Sequence, residues 1–391
     1  MSNLWKIYVL TILSFLVGTS QFVIVGILDK IAAYAGVSIA TAGQLISAFA
    51  LASALGTPLL VLTMTRLKLD LRRQLLVSLV ILLGGIALTL FFSGFNSLLL
   101  ARIVLGVGTG VFVATSFAMA ANLALPGKQG AAMSSISLGF SSSLVFGVPL
   151  GRVIASIYDW QVIFWVLGFL SVTGAVVIKK FFTADAGKAP MPFGQQLGLL
   201  KNPQLVAALS ITFLVFTSYS VFNTYITPFL ASVVTVEEQA LSMVLSAIGI
   251  ASLIGSKLGG RLVDHLGITP TLFGSIAVQG IALASLSLSA GWESLSILLI
   301  LLWATAAWTF GLTQSVNISL LEPTIASIML SLNSSCVQLG FAAGATLGGF
   351  AVTTSSLAII SGLGAITVFL ALCAAVSLKI LFGKTAKNKA H

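Results

Sequence analysis

The dominant feature of the sequence is a series of about twelve apolar runs, each roughly 20 residues long, separated by short polar turns. As helices, runs of this length match the hydrocarbon thickness of a bilayer. Only 7% of the residues are charged, whereas a soluble domain has about 25%. We therefore predict an all-α membrane protein. Its spans are expected near residues 6–28, 41–64, 75–93, 97–123, 130–157, 162–178, 205–231, 239–262, 271–290, 295–319, 325–351 and 357–382.

The basic residues lie mainly in alternate connections between these runs. With the amino terminus in the cytoplasm, 15 of the 19 Lys and Arg residues fall on that side, and only Lys30 falls outside. Because basic loops mark the cytoplasmic face, both termini are predicted to be cytoplasmic. The net charge of +10 therefore indicates topology and not a nucleic-acid partner. The first run has no cleavage-site pattern, so we expect it to remain as a span.

One stretch of the first half recurs in the second half. Residues 47–67 and 246–266 are identical at seven of 21 positions, and Leu138-Gly139-Phe140 recurs as Leu339-Gly340-Phe341. Such repeats predict two homologous halves, although apolar helices also resemble one another by chance. The predicted division is a six-helix bundle over residues 1–178, a cytoplasmic linker over 179–204, and a second six-helix bundle with a short basic tail over 205–391.

Three short motifs occur at the fourth, fifth and eighth runs. They are Arg102 followed by Gly106, Gly108 and Gly110, then Gly147-Val-Pro149-Leu-Gly151-Arg152, and finally Gly260-Arg-Leu-Val-Asp264-His-Leu-Gly267. In this order they resemble the major facilitator superfamily, specifically its drug:proton antiporter branch of sugar-, purine- and multidrug-efflux permeases. The resemblance implies two pseudo-symmetric six-helix bundles, alternating access, and export of a small molecule in exchange for protons.

The sequence also departs from that family pattern. Thr65 stands where the second copy of the turn has Asp264, and Lys68 replaces Gly267. Gln21 takes a position where many relatives carry Glu, and Asp29 one where they usually carry Pro. These departures leave the implied fold and transport class in place, but they do not specify the coupling ion.

The nine acidic residues all lie outside the middle of the predicted spans. Carboxylates inside a membrane usually mark ion or proton pathways, and arginine does not titrate in an accessible range. If protons drive transport, Asp29 at the outer end of the first span is the best candidate relay. The alternative is a solvated loop carboxylate beside Lys30.

Two arginines, Arg102 and Arg152, are predicted to lie at a similar depth near the outer side of the membrane. Each side chain could extend to the interface. Alternatively, the two guanidinium groups could hold Asp29 charged or favour an anionic substrate, because a charge in a low dielectric needs a partner.

Small residues and a polar turn are the candidate moving parts. Glycines leave a smooth helix face for close approach, and proline bends a helix, although ordinary packing uses both. Asp264 is expected to follow a helix end near Arg261, where it could cap a helix or pair with a base as a latch. The candidate coupling and gating residues are Asp29, Arg102, Gly106, Gly110, Gly147, Pro149, Gly151, Arg152, Arg261 and Asp264.

Polar and aromatic residues at mid-span depth are the candidates for a substrate cavity at the midplane, although buried amides also bond across helices. They are Gln21, Phe22, Tyr219, Asn223, Tyr225, Trp303, Trp308, Gln314, Asn317, Asn333 and Gln338. None is acidic, so the cavity would suit neutral or weakly charged amphipathic molecules such as sugars, nucleobases or hydrophobic drugs.

The leading hypothesis is a monomeric secondary efflux transporter in a bacterial cell membrane, without cofactor or metal. A facilitator or importer with the same fold and no proton coupling is the alternative. A membrane enzyme or sensor has no support in the sequence, which lacks a Walker loop and places His265 and His391 far apart.

Overall fold

The computed structural model describes residues 4–125, 129–183, 198, 201–234, 236–289, 292–321 and 326–388. Twelve helices in these ranges are long and apolar enough to cross a membrane. The prediction of an all-α membrane protein with twelve spans is therefore confirmed. The centre of the predicted linker, together with Lys128 and Glu322, lies outside the described residues.

The helices correspond one to one with the predicted spans, except where a span is interrupted. In the first half they are α1 (Leu4–Gly26), α2 (Leu28–Ala35), α3 (Ile39–Arg66), α4 (Leu71–Phe91), α5 (Phe95–Leu123), α6 (Gln129–Ser142), α7 (Val148–Ile157) and α8 (Gln161–Phe181). In the second half they are α9 (Pro203–Asn223), α10 (Ile226–Ser232), α11 (Glu238–Leu266), α12 (Ile268–Leu288), α13 (Glu293–Leu321), α14 (Ala326–Thr354) and α15 (Ile359–Asn388).

The chain forms two compact units. The first comprises Met1–Pro192, Ile226–Pro228 and Glu238–Gly249, and the second comprises Phe193–Tyr225, Phe229–Glu237 and Ile250–His391. Short segments of the seventh and eighth spans therefore pack with the first unit. The predicted bundle boundaries at residues 178 and 205 stay a prediction.

The glycine that recurs in the two similar stretches has the same packing role in both. A Cβ atom on Gly56 of α3 would meet the side chain of Val107 in α5, and one on Gly255 of α11 would meet the carbonyl oxygen of Thr305 in α13. In each half, the second span thus approaches the fourth span at a position where a larger residue would force neighbouring atoms to shift. The recurring glycine therefore lies at a corresponding helix contact in both halves.

The repeated Leu-Gly-Phe motif behaves in the same way. A Cβ atom on Gly139 would meet the carbonyl oxygen of Thr11, and one on Gly340 would meet that of Phe213. Both contacts join the fifth span of a half to its first span. Helices in lipid gain little from burying apolar surface, so close contact at small residues supplies much of their packing energy.

The polar turns after the two similar stretches each contain a residue with a positive φ angle. Lys68 has a φ angle of 54°, and Gly267, at the matching position, has 87°. Lysine in this region costs energy that glycine avoids. The sequence predicts that Asp264 follows the end of a helix. It lies instead in the last turn of α11, because that helix continues to Leu266. The described residues contain no ion pair between Asp264 and Arg261, and both are exposed.

Three spans are interrupted. The first breaks at Ile27, between α1 and α2, and the seventh breaks at Thr224 and Tyr225, between α9 and α10. These breaks lie at corresponding places in the two halves. The fifth span contains a π-helical turn, Ser143–Gly147, which ends two residues before Pro149. Proline cannot donate a backbone hydrogen bond, so the expected bend takes the form of this wider turn.

We predict that Gly255→Ala lowers the free energy of unfolding by about 1–3 kcal/mol, because the added methyl group would meet backbone atoms that cannot move aside. Gly274→Ala in α12 is the matched control, since no atom lies within 4 Å of the place its added methyl group would occupy. Thermal unfolding of the purified protein measures both effects. Equal stability of the two variants would contradict the packing role of Gly255.

Candidate transport site

Arg102 of α5 is buried inside the first unit and does not extend to the interface. Its side chain donates hydrogen bonds to the carbonyl oxygens of Ser20 and Gln21 in α1, at 2.7 and 3.0 Å. The guanidinium carbon lies 4.4 Å from the centre of the Phe49 ring. No described carboxylate pairs with Arg102, so α1 carbonyls and an aromatic face compensate its charge.

Arg152 holds the end of the same helix. One of its terminal nitrogens lies 2.6 Å from a carboxylate oxygen of Asp29 and 3.3 Å from the carbonyl oxygen of Gly26. The Arg152 side chain is 3% exposed and that of Asp29 is 31% exposed. The carboxylate is therefore partly exposed, whereas the guanidinium group is enclosed. Asp29 is therefore paired with Arg152 as well as adjacent to Lys30 in sequence, and its role as a proton relay stays a prediction.

A further donor reaches α1 between these two arginines. The hydroxyl group of Thr227, in α10, donates to the carbonyl oxygen of Val25 at 2.7 Å. Both residues belong to the first unit. The last two turns of α1 therefore carry additional hydrogen bonds at several carbonyl groups. Cations near a helix carboxyl terminus are favourable, because the aligned peptide dipoles leave partial negative charge there.

The candidate gating glycines of the fourth and fifth spans all contact the first unit's own helices. A Cβ atom on Gly106 would meet the Phe49 carbonyl, and one on Gly110 would meet the Thr57 side chain, both in α3. In the fifth span, Gly147 lies against Thr19 of α1, and Gly151 lies against Val23 of the same helix. These contacts bring α3 and α1 close to the two arginine-bearing spans.

Aromatic side chains form a cluster inside the second unit. Tyr219 stacks on Trp303, with ring centres 5.0 Å apart and an interplanar angle of 15°. Trp308 approaches Tyr219 edge-on at 6.5 Å. Tyr219 and Trp303 are buried, whereas Trp308 is partly exposed. The sequence places these three residues among the candidates at mid-span depth, but it does not indicate the stacking.

A chain of amide and hydroxyl groups lies elsewhere in the second unit. The Gln314 amide nitrogen donates to the Ala208 carbonyl at 2.6 Å and to the Thr212 hydroxyl at 3.1 Å. Thr212 in turn donates to the Asn333 side-chain oxygen at 2.8 Å, and the Asn317 amide donates to Gln314 at 3.3 Å. These contacts join α9, α13 and α14. Thr212 was not predicted, since a single threonine in an apolar run gives no distinguishing signal.

The remaining candidates are dispersed. Tyr225 is buried, and its hydroxyl group donates to the carbonyl oxygen of Ala345 at 2.8 Å. Phe22 packs edge-on against Phe140 in the first unit, at 5.5 Å. Gln21 is buried beside it, whereas Asn223 and Gln338 are partly exposed. The described part of the chain contains no group of three His, Cys, Asp or Glu side chains that could hold a metal ion.

Twelve span-length apolar helices, with guanidinium groups held inside them, define a polytopic membrane protein. A model of the Major Facilitator Superfamily matches residues 10–213 and again residues 208–390. The Uncharacterized MFS-type transporter YbcL of Bacillus subtilis (strain 168) is 40% identical over 376 residues, covering 96% of each chain. The chain belongs to the major facilitator superfamily and is a secondary transporter.

Solved structures agree at the level of the fold. A D-xylose-proton symporter superimposes with a TM-score of 0.77 at 16% identity, over 96% of this chain and 97% of that one. The human organic anion transporter MFSD10 (TETRAN) gives 0.69 at 16% identity, over 94% and 98%.

Replacing Gln314 with methionine should lower the free energy of unfolding by about 1–3 kcal/mol, since several buried groups lose a hydrogen-bond partner. Gln279→Met is the matched control. Gln279 is fully buried, and neither amide atom has a described partner, so an apolar replacement should be neutral or stabilising. Thermal unfolding of the two purified variants measures both effects. A larger loss of stability in Gln279→Met than in Gln314→Met would contradict the assigned role of the Gln314 hydrogen bonds.

Arg102→Lys should destabilise the protein by about 1–3 kcal/mol, because an ammonium group cannot bind two carbonyl oxygens with the planar geometry of guanidinium. The control is Arg73→Lys, at a side chain that is 68% exposed. Chemical unfolding of purified protein would reveal the difference, and an undiminished midpoint for Arg102→Lys would show that the carbonyl contacts contribute little.

Proposed function

We propose that the protein exports a small molecule by alternating access, in exchange for protons that act on Asp29. The observation that carries the proposal is the 2.6 Å contact between Asp29 and the enclosed Arg152 guanidinium group. It joins a titratable, partly exposed carboxyl group to a fixed charge within the transporter. This function corresponds to the drug:proton antiporter branch that the sequence motifs resemble.

The coupling step follows from what Arg152 contacts. Its terminal nitrogen is shared between the Asp29 carboxylate and the Gly26 carbonyl at the end of α1. Protonation removes the negative charge of Asp29 and weakens its hold on Arg152. The short helix α2, which carries Asp29, is then bound less firmly to the fifth span. Protonation of Asp29 would therefore shift the equilibrium between two conformations of the break at Ile27. Coupling requires such a shift.

The proposed substrate is a neutral or weakly charged amphipathic molecule. Within the second unit, the aromatic faces of Trp308 and Phe341 and the amides of Asn223 and Gln338 are partly exposed. Such groups bind flat apolar surfaces and hydrogen-bonding substituents. The spans carry no mid-span carboxylate that would balance a multiply cationic drug.

The alternative is a facilitator or importer with the same fold. The Asp29–Arg152 pair would then only stabilise the outer end of the first unit, as an ordinary partly buried ion pair does. The solved structures of similar fold include a proton symporter for D-xylose and an organic anion transporter.

We further infer that the protein acts as a monomer in a bacterial cell membrane and can contribute to drug resistance.

Asp29→Asn should abolish the dependence of efflux on a proton gradient, because the amide keeps the size of the side chain but cannot be protonated. Substrate counterflow in proteoliposomes, with and without a pH gradient, measures this dependence after a screen of sugars, nucleosides and drugs. Asp159→Asn is the matched control, since the Asp159 side chain is exposed and accepts a hydrogen bond from the Gln161 backbone amide.

Proton-driven efflux by the wild type, lost in Asp29→Asn and kept in Asp159→Asn, supports the proposal. Gradient dependence that persists in Asp29→Asn would remove Asp29 from the coupling mechanism. Transport by the wild type that is indifferent to the gradient would favour the facilitator.

A further inference from the structure

Three helix ends meet at one end of the first unit. The Arg72 side chain, at the start of α4, donates a hydrogen bond to the carbonyl oxygen of Lys179, at the end of α8. At the start of α1, Trp5 packs edge-on against Phe181 and Phe182, with ring centres 5.6 and 6.4 Å apart. The starts of α1 and α4 are thus held against the end of α8.

This end of the unit is strongly basic. The basic rim is defined here as Lys6, Arg66, Lys68, Arg72, Arg73, Lys179 and Lys180. In the described part of these segments the only acidic residue is Asp70, which pairs with Arg73 at 3.3 Å. The excess of positive charge is therefore far larger than one ion pair can balance.

Two of the lysines are positioned by aromatic rings. The Lys6 ammonium group lies 5.7 Å from the centre of the Phe182 ring, and that of Lys180 lies 5.5 Å from the Phe181 ring. Cation–π contacts of this kind restrict otherwise mobile side chains. The two charges are consequently held near each other beside the paired helix ends.

An exposed apolar stripe continues from the basic rim along α1. Leu4, Tyr8 and Ile12 are all exposed and follow one another at intervals of four residues, so they lie on one helix face. Trp5 and Phe181 are also exposed, at the rim itself. Charge and apolar surface therefore adjoin each other, as the headgroup and the acyl chain of a lipid do.

We propose that the basic rim binds the headgroup of an anionic phospholipid, whose acyl chain lies along Tyr8 and Ile12. Positive charge next to a membrane attracts anionic lipid, and aromatic side chains favour the headgroup level. The neighbouring apolar stripe favours a lipid over free phosphate, because inorganic phosphate has no group that could contact it. Because three helix ends meet at the basic rim, a lipid bound there would help to hold them together.

The test compares binding of phosphatidylglycerol and phosphatidylcholine to the purified full chain in detergent by native mass spectrometry. The wild type should bind phosphatidylglycerol in preference. Lys6→Gln/Lys180→Gln should lower its apparent affinity about 5-fold per lysine removed. Lys30→Gln is the control, because Lys30 lies in α2, beyond the opposite end of α1 from Lys6, and it should keep the wild-type affinity.

Three results would overturn the proposal. They are equal binding of the two lipids by the wild type, an equal loss of affinity in the control variant, and displacement of phosphatidylglycerol by inorganic phosphate at matched concentration. Should the double variant fail to fold, Lys179→Gln provides the same test, since its side chain is exposed. It should lower phosphatidylglycerol affinity about 5-fold, and an unchanged affinity would equally count against the basic rim.

Discussion

The first unit depends on how two buried guanidinium groups are compensated. A charge in a low dielectric is costly unless it is paired and hydrogen-bonded. Arg102 is paired with carbonyl groups of α1, and Arg152 with the last carbonyl of that helix and with Asp29. Both arginines therefore fix the position of α1. Among the partners described for the two arginines, the Asp29 carboxylate is a group whose charge a proton can change.

Close helix contacts make this arrangement possible. Gly147 and Gly151 bring the fifth span against α1, and Gly106 brings the fourth span against α3. With larger residues at these positions the arginine-bearing helices would stand further away. In the second half, the glycines that recur in sequence also recur in their contacts. Packing and electrostatics are thus coupled: small residues set the distances over which the guanidinium groups act.

Much of the fold could be predicted from the sequence, because span length and the repeated glycines reflect constraints that act locally or recur. The partners of the polar groups could not. The depth of Arg152 and Asp29 suggested an encounter, whereas the carbonyl partners of Arg102 carry no sequence signal. Likewise, Gln314 and Asn333 were expected at mid-span, but Thr212, which joins them, resembles any other threonine in a helix. Side-chain partners across helices depend on rotation and register, which composition does not reveal.

The most direct test of this account is hydrogen exchange of the α2 backbone amides, Leu28–Ala35, as a function of pH. After correction for intrinsic exchange rates, the account predicts that α2 loses protection when Asp29 is protonated. It also predicts that α2 is already poorly protected at every pH in Arg152→Gln. Protection of α2 that is the same at all pH values, and unaffected by loss of Arg152, would contradict the claim that this ion pair holds the outer end of the first span.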